Sequence, residues 1–204
     1  TANSDVLNDG DLLLIDAGAE YAGYAGDITR TFPVNGRFTS AQKEVYAVVL
    51  QAQEAVIAAI KPGMTLPQLT DICLRELTQG LLDLGLLQGD LEQLLAEKAC
   101  RRYFIHGLGH WLGLDVHDVG RYENEGEVTK LQAGMVFTVE PGLYFAPDDE
   151  QVPEAYRGIG VRIEDDILMT ADGFENLTAA VPKQISEIEA LMCGTTASNE
   201  RRAV

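Results

Sequence analysis

The sequence predicts an α+β fold organised around a largely antiparallel sheet. Strand-length apolar runs gather in two blocks, near residues 12–32 and 135–169, and two stretches of helical spacing lie between them. Strands grouped ahead of and behind helices, rather than alternating with them, favour antiparallel pairing. With 204 residues, 46% apolar and 23% charged, the chain can bury one sizeable core.

In order along the chain, Leu12-Leu-Leu-Ile15 lies between Asp11 and Asp16-Ala-Gly18 and reads as a short buried strand. The Gly-, Tyr- and Thr-rich segment from Tyr21 to Phe32 reads as a hairpin that turns near Tyr21–Gly23 and returns as a second strand. A two-residue loop at Tyr21-Ala22 sets Asp16 opposite Asp27, while bulges at Gly23 or Gly26 give other registers. Thr39-Ser40 is a good N-cap pair for a helix carrying Val45, Val48, Val49, Ala52, Val56, Ala59 and Ile60 on one stripe, ended by Lys61-Pro62-Gly63. Thr65 and Gln68 form a capping-box pattern for a second helix with Leu69, Ile72, Cys73, Leu77 and Leu81 inward, broken at Gly85. A short helix follows around residues 90–99. All three histidines fall within residues 103–118; residues 135–140, 143–145, 160–164 and 166–169 then read as short strands. Residues 194–204 are small and polar and read as a flexible tail.

Charge narrows the function. Fifteen Lys and Arg against thirty-two Asp and Glu leave a net charge of −17, which repels phosphate backbones and anionic lipid. Neither nucleic acid nor membrane is therefore expected as a partner. No apolar run approaches the roughly 20 residues that span a bilayer. Three widely spaced cysteines, Cys73, Cys100 and Cys193, fit free thiols in a reducing, cytoplasmic setting.

The unusual residues are acids in apolar strands: Asp16, Asp27, Glu140 and Glu164. An unpaired buried charge costs several kcal/mol, so each must face water, pair with a base or coordinate a cation. Only ten arginines and five lysines are available, few of them near these segments in sequence. Four such acids beside His106, His110 and His117 point to a metal site. Oxygen-rich donors with a single imidazole suit Mn²⁺ or Mg²⁺ before Zn²⁺. Four carboxylates overcharge one ion and nearly neutralise two, and two ions roughly 3.5–4 Å apart activate water for hydrolysis. No GxSxG elbow, HExxH motif or Walker loop competes.

Four strings make a specific resemblance: DAGAEYAGYAGDITRTFPVNG (16–36), HGLGHWLGLDVHDVG (106–120), VEPGLYF (139–145) and GIGVRIEDD (158–166). In this order they resemble the aminopeptidase P family of pita-bread metallopeptidases, over about residues 5–192. The resemblance implies a pita-bread fold, a curved, largely antiparallel sheet covered by helices. It implies five metal ligands, Asp16, Asp27, His110, Glu140 and Glu164, with Asp27 and Glu164 bridging two divalent ions. Asp16 completes one metal, and His110 with Glu140 the other. The ions are expected to be Mn²⁺, with Co²⁺ or Zn²⁺ as substitutes. Glu140 also matches the carboxylate that orients the attacking water and acts as general base. His117 matches a histidine that hydrogen-bonds substrate and stabilises the oxyanion, and His106 one that lines the pocket. Arg162 matches an arginine that organises groups around the ligands.

Other residues read as structural. Gly18, Gly107, Gly142 and Gly158 serve turns and close approach, Trp111 and Tyr144 form core or pocket wall, and strand alternation turns Asp165 away from Glu164. The resemblance further implies that the family's domain extends ahead of the segment matching Thr1, with another active-site histidine there. The expected organisation is then residues 1–193 as a catalytic domain incomplete at its N-terminal side, with either self-association through the uncovered face or poor solubility. The expected activity is removal of an N-terminal residue from peptides with proline second. A prolidase acting on Xaa-Pro dipeptides and a catalytically silent binding module are the alternatives.

Overall fold

The computed structural model describes residues 6–194. The polar opening, residues 1–5, and residues 195–204 of the expected tail lie outside the described residues.

The first strand, β1 (Leu12–Ala17), runs antiparallel to β4 (Ile28–Pro33) through a narrow hairpin of β2 (Glu20–Tyr21) and β3 (Tyr24–Ala25). The tip is the pair Ala22–Gly23, both at positive φ (54° and 87°), the geometry that matches a two-residue turn to the strand twist. This tip lies one residue beyond the Tyr21-Ala22 loop, so Asp16 pairs with Thr29 and not with Asp27. Period-two alternation still leaves Asp27 and Thr29 on the face that carries Asp16. A second expectation also needs correcting. β1 is not buried: its residues grade from half-buried to exposed, because it pairs only with β4 among the described residues.

Two helices follow, α1 (Ser40–Ala59) and α2 (Leu66–Asp83), each opened by the capping box its sequence predicts, Thr39 with Gln42 and Thr65 with Gln68. Val45, Val49, Ala52 and Val56 of α1 meet Leu69, Leu77 and Leu81 of α2, all fully buried. α3 (Leu91–Ala96), capped by Asp90, and a short 3₁₀ turn at Ala99–Arg102 close this layer.

An exposed hairpin of β5 (Glu123–Asn124) and β6 (Glu127–Val128) precedes the second strand block. There β7 (Val136–Val139) pairs with β10 (Asp165–Met169), which pairs with β11 (Phe174–Asn176), while β8 (Gly142–Tyr144) pairs with β9 (Gly160–Arg162). Every pairing is antiparallel, as expected, but the hydrogen bonds divide the strands into short ladders instead of one continuous sheet. β4 touches β9 and β10, and Glu164 N–H donates to the Thr29 carbonyl at 3.1 Å, so the two blocks join at the acidic residues. α1 packs on the inner side of this junction, with Phe137, Leu143, Val161, Ile163 and Ile167 buried in the same core. α4 (Ile185–Met192) packs against α1.

Candidate metal centre

The five expected ligands come from four segments that meet at the junction of the strand blocks. Asp27 precedes β4 and is buried, held by its own N–H, which donates to Asp166 Oδ2 at 3.1 Å. His110 precedes an isolated bridge between Trp111 and Phe137, and its carbonyl accepts from Thr138 N–H at 3.0 Å. Gly109 permits this approach, since a Cβ there would lie 1.9 Å from the Thr138 carbonyl oxygen. Glu140 leaves the end of β7 with its N–H donating to the Leu108 carbonyl at 2.8 Å, and Glu164 sits between β9 and β10, 1% exposed.

Asp27, His110 and Glu164 each direct one ligand atom into a shared space, all three within 4.8 Å of one another. His110 Nε2 lies 3.3 Å from Asp27 Oδ2 and 3.5 Å from Glu140 Oε1. Its Nδ1 is 3.1 Å from the Trp111 carbonyl, which fixes the proton there and leaves the Nε2 lone pair facing the carboxylates. Asp16 joins through an ion pair with Arg162 and lies close enough to Asp27 to raise its carboxyl. All five expected ligands therefore belong to one cluster.

The cluster lacks positive charge to match its acids. Burial, reinforced by Asp16, raises the Asp27 carboxyl, and burial raises Glu140 against the opposing pull of His110. Glu164 is pushed up to about 8, first by burial and then by the charges of Glu140, Asp27 and Asp16, despite its bond from Thr29. Carboxylates this close favour protonation unless a cation takes up their charge. Two carboxylates and an imidazole nitrogen converging on one space, with two further acids beside it, match the donor chemistry of hard or borderline divalent ions.

The residues expected around the ligands are in reach. His106 Nε2 is 2.7 Å from the Tyr144 hydroxyl, and its Nδ1 is 3.6 Å from Glu140 Oε2. Burial lowers its pKa, favouring the neutral ring. The exposed His117 ring stands edge-on to His110, centroids 4.4 Å apart. Arg162 donates through Nη1 to the Tyr144 hydroxyl at 3.0 Å, through Nε to Thr29 Oγ1 at 3.1 Å, and through Nη2 to Asp16. Tyr144 is thus a polar partner in the site and not only its wall. Asp165 points the other way, as alternation predicts, and Cys100 is a buried thiol whose pKa burial raises.

Three residues escaped the sequence reading: Thr29, Thr138 and Asp166. Each lies two positions from a ligand, at Asp27-x-Thr29, Thr138-x-Glu140 and Glu164-x-Asp166, and each is buried. A buried polar residue at that spacing on a ligand-bearing strand was the available signal.

The model of metallopeptidase family M24 matches residues 1–171. The chain is 57% identical over 192 residues to the Xaa-Pro aminopeptidase of Haemophilus influenzae, covering 94% of this chain and 44% of that protein. It is 58% identical to the Xaa-Pro aminopeptidase of Escherichia coli, with 94% and 43% covered. Among solved structures, Pseudomonas aeruginosa aminopeptidase PepP superposes with a TM-score of 0.93 at 50% identity, over 96% of this chain and 44% of that one. A zinc-substituted Escherichia coli aminopeptidase P in complex with product gives 0.88 at 57% identity, over 93% and 43%. The chain thus spans less than half the length of the curated relatives it matches. The pita-bread architecture is shared with these structures, and with the family model matching most of its length the chain belongs to metallopeptidase family M24.

Proposed function

We propose that this chain carries the dinuclear metal centre of a Xaa-Pro aminopeptidase, which hydrolyses the bond between an N-terminal residue and a following proline. The observation that supports it most is the convergence of Asp27, His110 and Glu164 within 4.8 Å, with Asp16 and Glu140 beside them. The five residues would hold two divalent ions, Asp27 and Glu164 bridging, and Mn²⁺ suits this oxygen-rich set ahead of Co²⁺ or Zn²⁺. When bound, the ions supply Lewis acidity and lower the pKa of water.

The chain's own groups do the rest. Glu140, whose carboxyl burial raises above its ordinary value, takes the proton of the attacking water and delivers it to the leaving proline nitrogen. His117, exposed at the mouth beside His110, donates a hydrogen bond to the carbonyl oxygen as negative charge develops there. His106 and Tyr144 border the same space, and Arg162 holds Tyr144 and Asp16 in place. Proline lacks an amide N–H and restricts its neighbour's backbone, so ordinary peptidase subsites handle this bond poorly.

A cytoplasmic location accords with three free cysteines; among the described residues no helix is long and apolar enough to cross a membrane. Kinetics of the intact, Mn²⁺-loaded protein test the reading. Xaa-Pro-Yaa peptides should be cleaved after the first residue, and Xaa-Pro dipeptides should be poor substrates. Preference for the dipeptide would make the protein a prolidase, and two bound metals without turnover would make it a binding module.

A further inference from the structure

Two threonines divide the ligand set between them. Thr29 of β4 and Thr138 of β7 are both fully buried, and strand alternation puts each on the same face as a ligand two residues away. Each hydroxyl has one proton to give, and each gives it to a carboxylate of the cluster. Thr29 Oγ1 donates to Glu164 Oε2 at 2.5 Å and accepts from Arg162 Nε–H at 3.1 Å, while Arg162 also holds Asp16. Thr138 Oγ1 donates to Glu140 Oε1 at 3.3 Å and accepts the backbone N–H of His110 at 3.1 Å. The two sets share no residue: Glu164, Arg162 and Asp16 depend on one hydroxyl, Glu140 and His110 on the other.

We infer that Thr29 and Thr138 are positioning residues, each with its larger effect on one of the two metals, Thr29 reaching both through the shared ligand Glu164. Thr29 fixes the Asp16 side and Thr138 the His110–Glu140 side. This rests on the dinuclear reading above. The physical reason is directional. A buried carboxylate must present one chosen lone pair to an ion, and a hydrogen bond to a neighbouring lone pair removes the alternatives. Thr29 adds a second effect. It occupies Arg162 Nε, and without that acceptor the guanidinium is free to turn onto Glu164 and neutralise a bridging ligand. A charged donor on one side of the hydroxyl also polarises it, strengthening the bond it gives on the other. Nothing equivalent acts on Thr138, whose donor is a neutral amide, so the Thr29 side should be the more sensitive.

Co²⁺ titrations of the intact protein read the two sides separately. Calorimetry gives two affinities, and the hyperfine-shifted ring proton of His110 reports filling of its own side. Thr29→Val should weaken the step that leaves the His110 proton unshifted by roughly 10–100-fold, and the other step less, through the shared Glu164. Thr138→Val should weaken the step that shifts it, by less. Thr29→Ser and Thr138→Ser keep the hydroxyl and should restore wild-type isotherms. If a valine variant does not fold, the serine and alanine variants at that position carry the comparison. A wild type that binds two ions while both valine variants bind with unchanged affinities overturns this inference alone. So does a variant pair that weakens both steps equally. A folded wild type that binds no Co²⁺ overturns the dinuclear reading and this inference with it.

Discussion

Glu164 and Asp165 are adjacent, both buried, and face opposite environments. On the Glu164 side, Asp16, Asp27 and Glu140 crowd one space with Arg162 as the nearby fixed cation, and Glu164 rises to about 8. On the other side Asp165 accepts from Arg30, Lys183, Gln53, Asn176 and Thr178, every one within 3.0 Å. Burial works against its ionisation too, but the Lys183 hydrogen bond and the Arg30 charge outweigh it and hold the carboxyl well below the usual range. One side has been neutralised by the chain itself and the other has not. That difference separates an acid that holds the fold together from acids arranged to hold something else.

The largest effect should come from removing the open side's central acid. Glu164→Ala takes away a bridging ligand, so bound metal and turnover should disappear together while the chain stays folded. Elemental analysis and peptide kinetics check this, and full activity with two metals would erase the contrast between the two acids. Asp165→Ala should do the reverse. It takes the carboxylate from Arg30 and Lys183, side chains 9% and 18% exposed, and should cost about 3–5 kcal/mol in denaturant unfolding.

The contrast was only partly legible in the sequence. Asp16, Asp27, Glu140 and Glu164 stood out because acids are rare in apolar strands, and simple alternation placed Asp165 on the far face. The role of Asp165 did not show, because two of its partners, Arg30 and Gln53, reach it from more than a hundred residues away. Thr29 and Thr138 stayed hidden for another reason: threonine is common in strands, and its hydroxyl declares a role only when a partner is seen. Both long helices were legible from their capping boxes and stripes. β11 was not, since three residues cannot display a period, and α4 is capped by Gln184, which is not a usual cap residue. The hairpin register turned on where the two positive-φ residues fall, and Ala22 gives no hint of that in sequence.

A ligand and a group that only touches substrate should also separate. His117→Ala should keep both metals and lose roughly 10²–10³-fold in kcat, the range for removing one oxyanion donor. Equal metal loss in His117→Ala and Glu164→Ala would reject that division of roles.

The smallest and most diagnostic effect is in pH. The Glu164 carboxyl moves from an ordinary 4.5 to about 8 on folding, so between those values the folded state holds more protons than the unfolded. Metal-free stability should therefore fall as pH rises through that window. Asp165 acts in the opposite sense. Its carboxyl is lowered, so its contribution is present above its ordinary 3.8 and is lost as pH falls below that. With chelator, the denaturant midpoint should peak at mildly acidic pH, and Mn²⁺ should remove the alkaline decline without altering the acid limb.

Metal stoichiometry tests the central claim most directly. Intact protein equilibrated with Mn²⁺ and freed of excess should retain two ions per chain, and Asp27→Asn combined with Glu164→Gln should retain none while remaining folded. A folded wild type that retains no Mn²⁺, Co²⁺ or Zn²⁺, or a double variant that keeps both ions, would contradict the assignment of these residues as the metal centre.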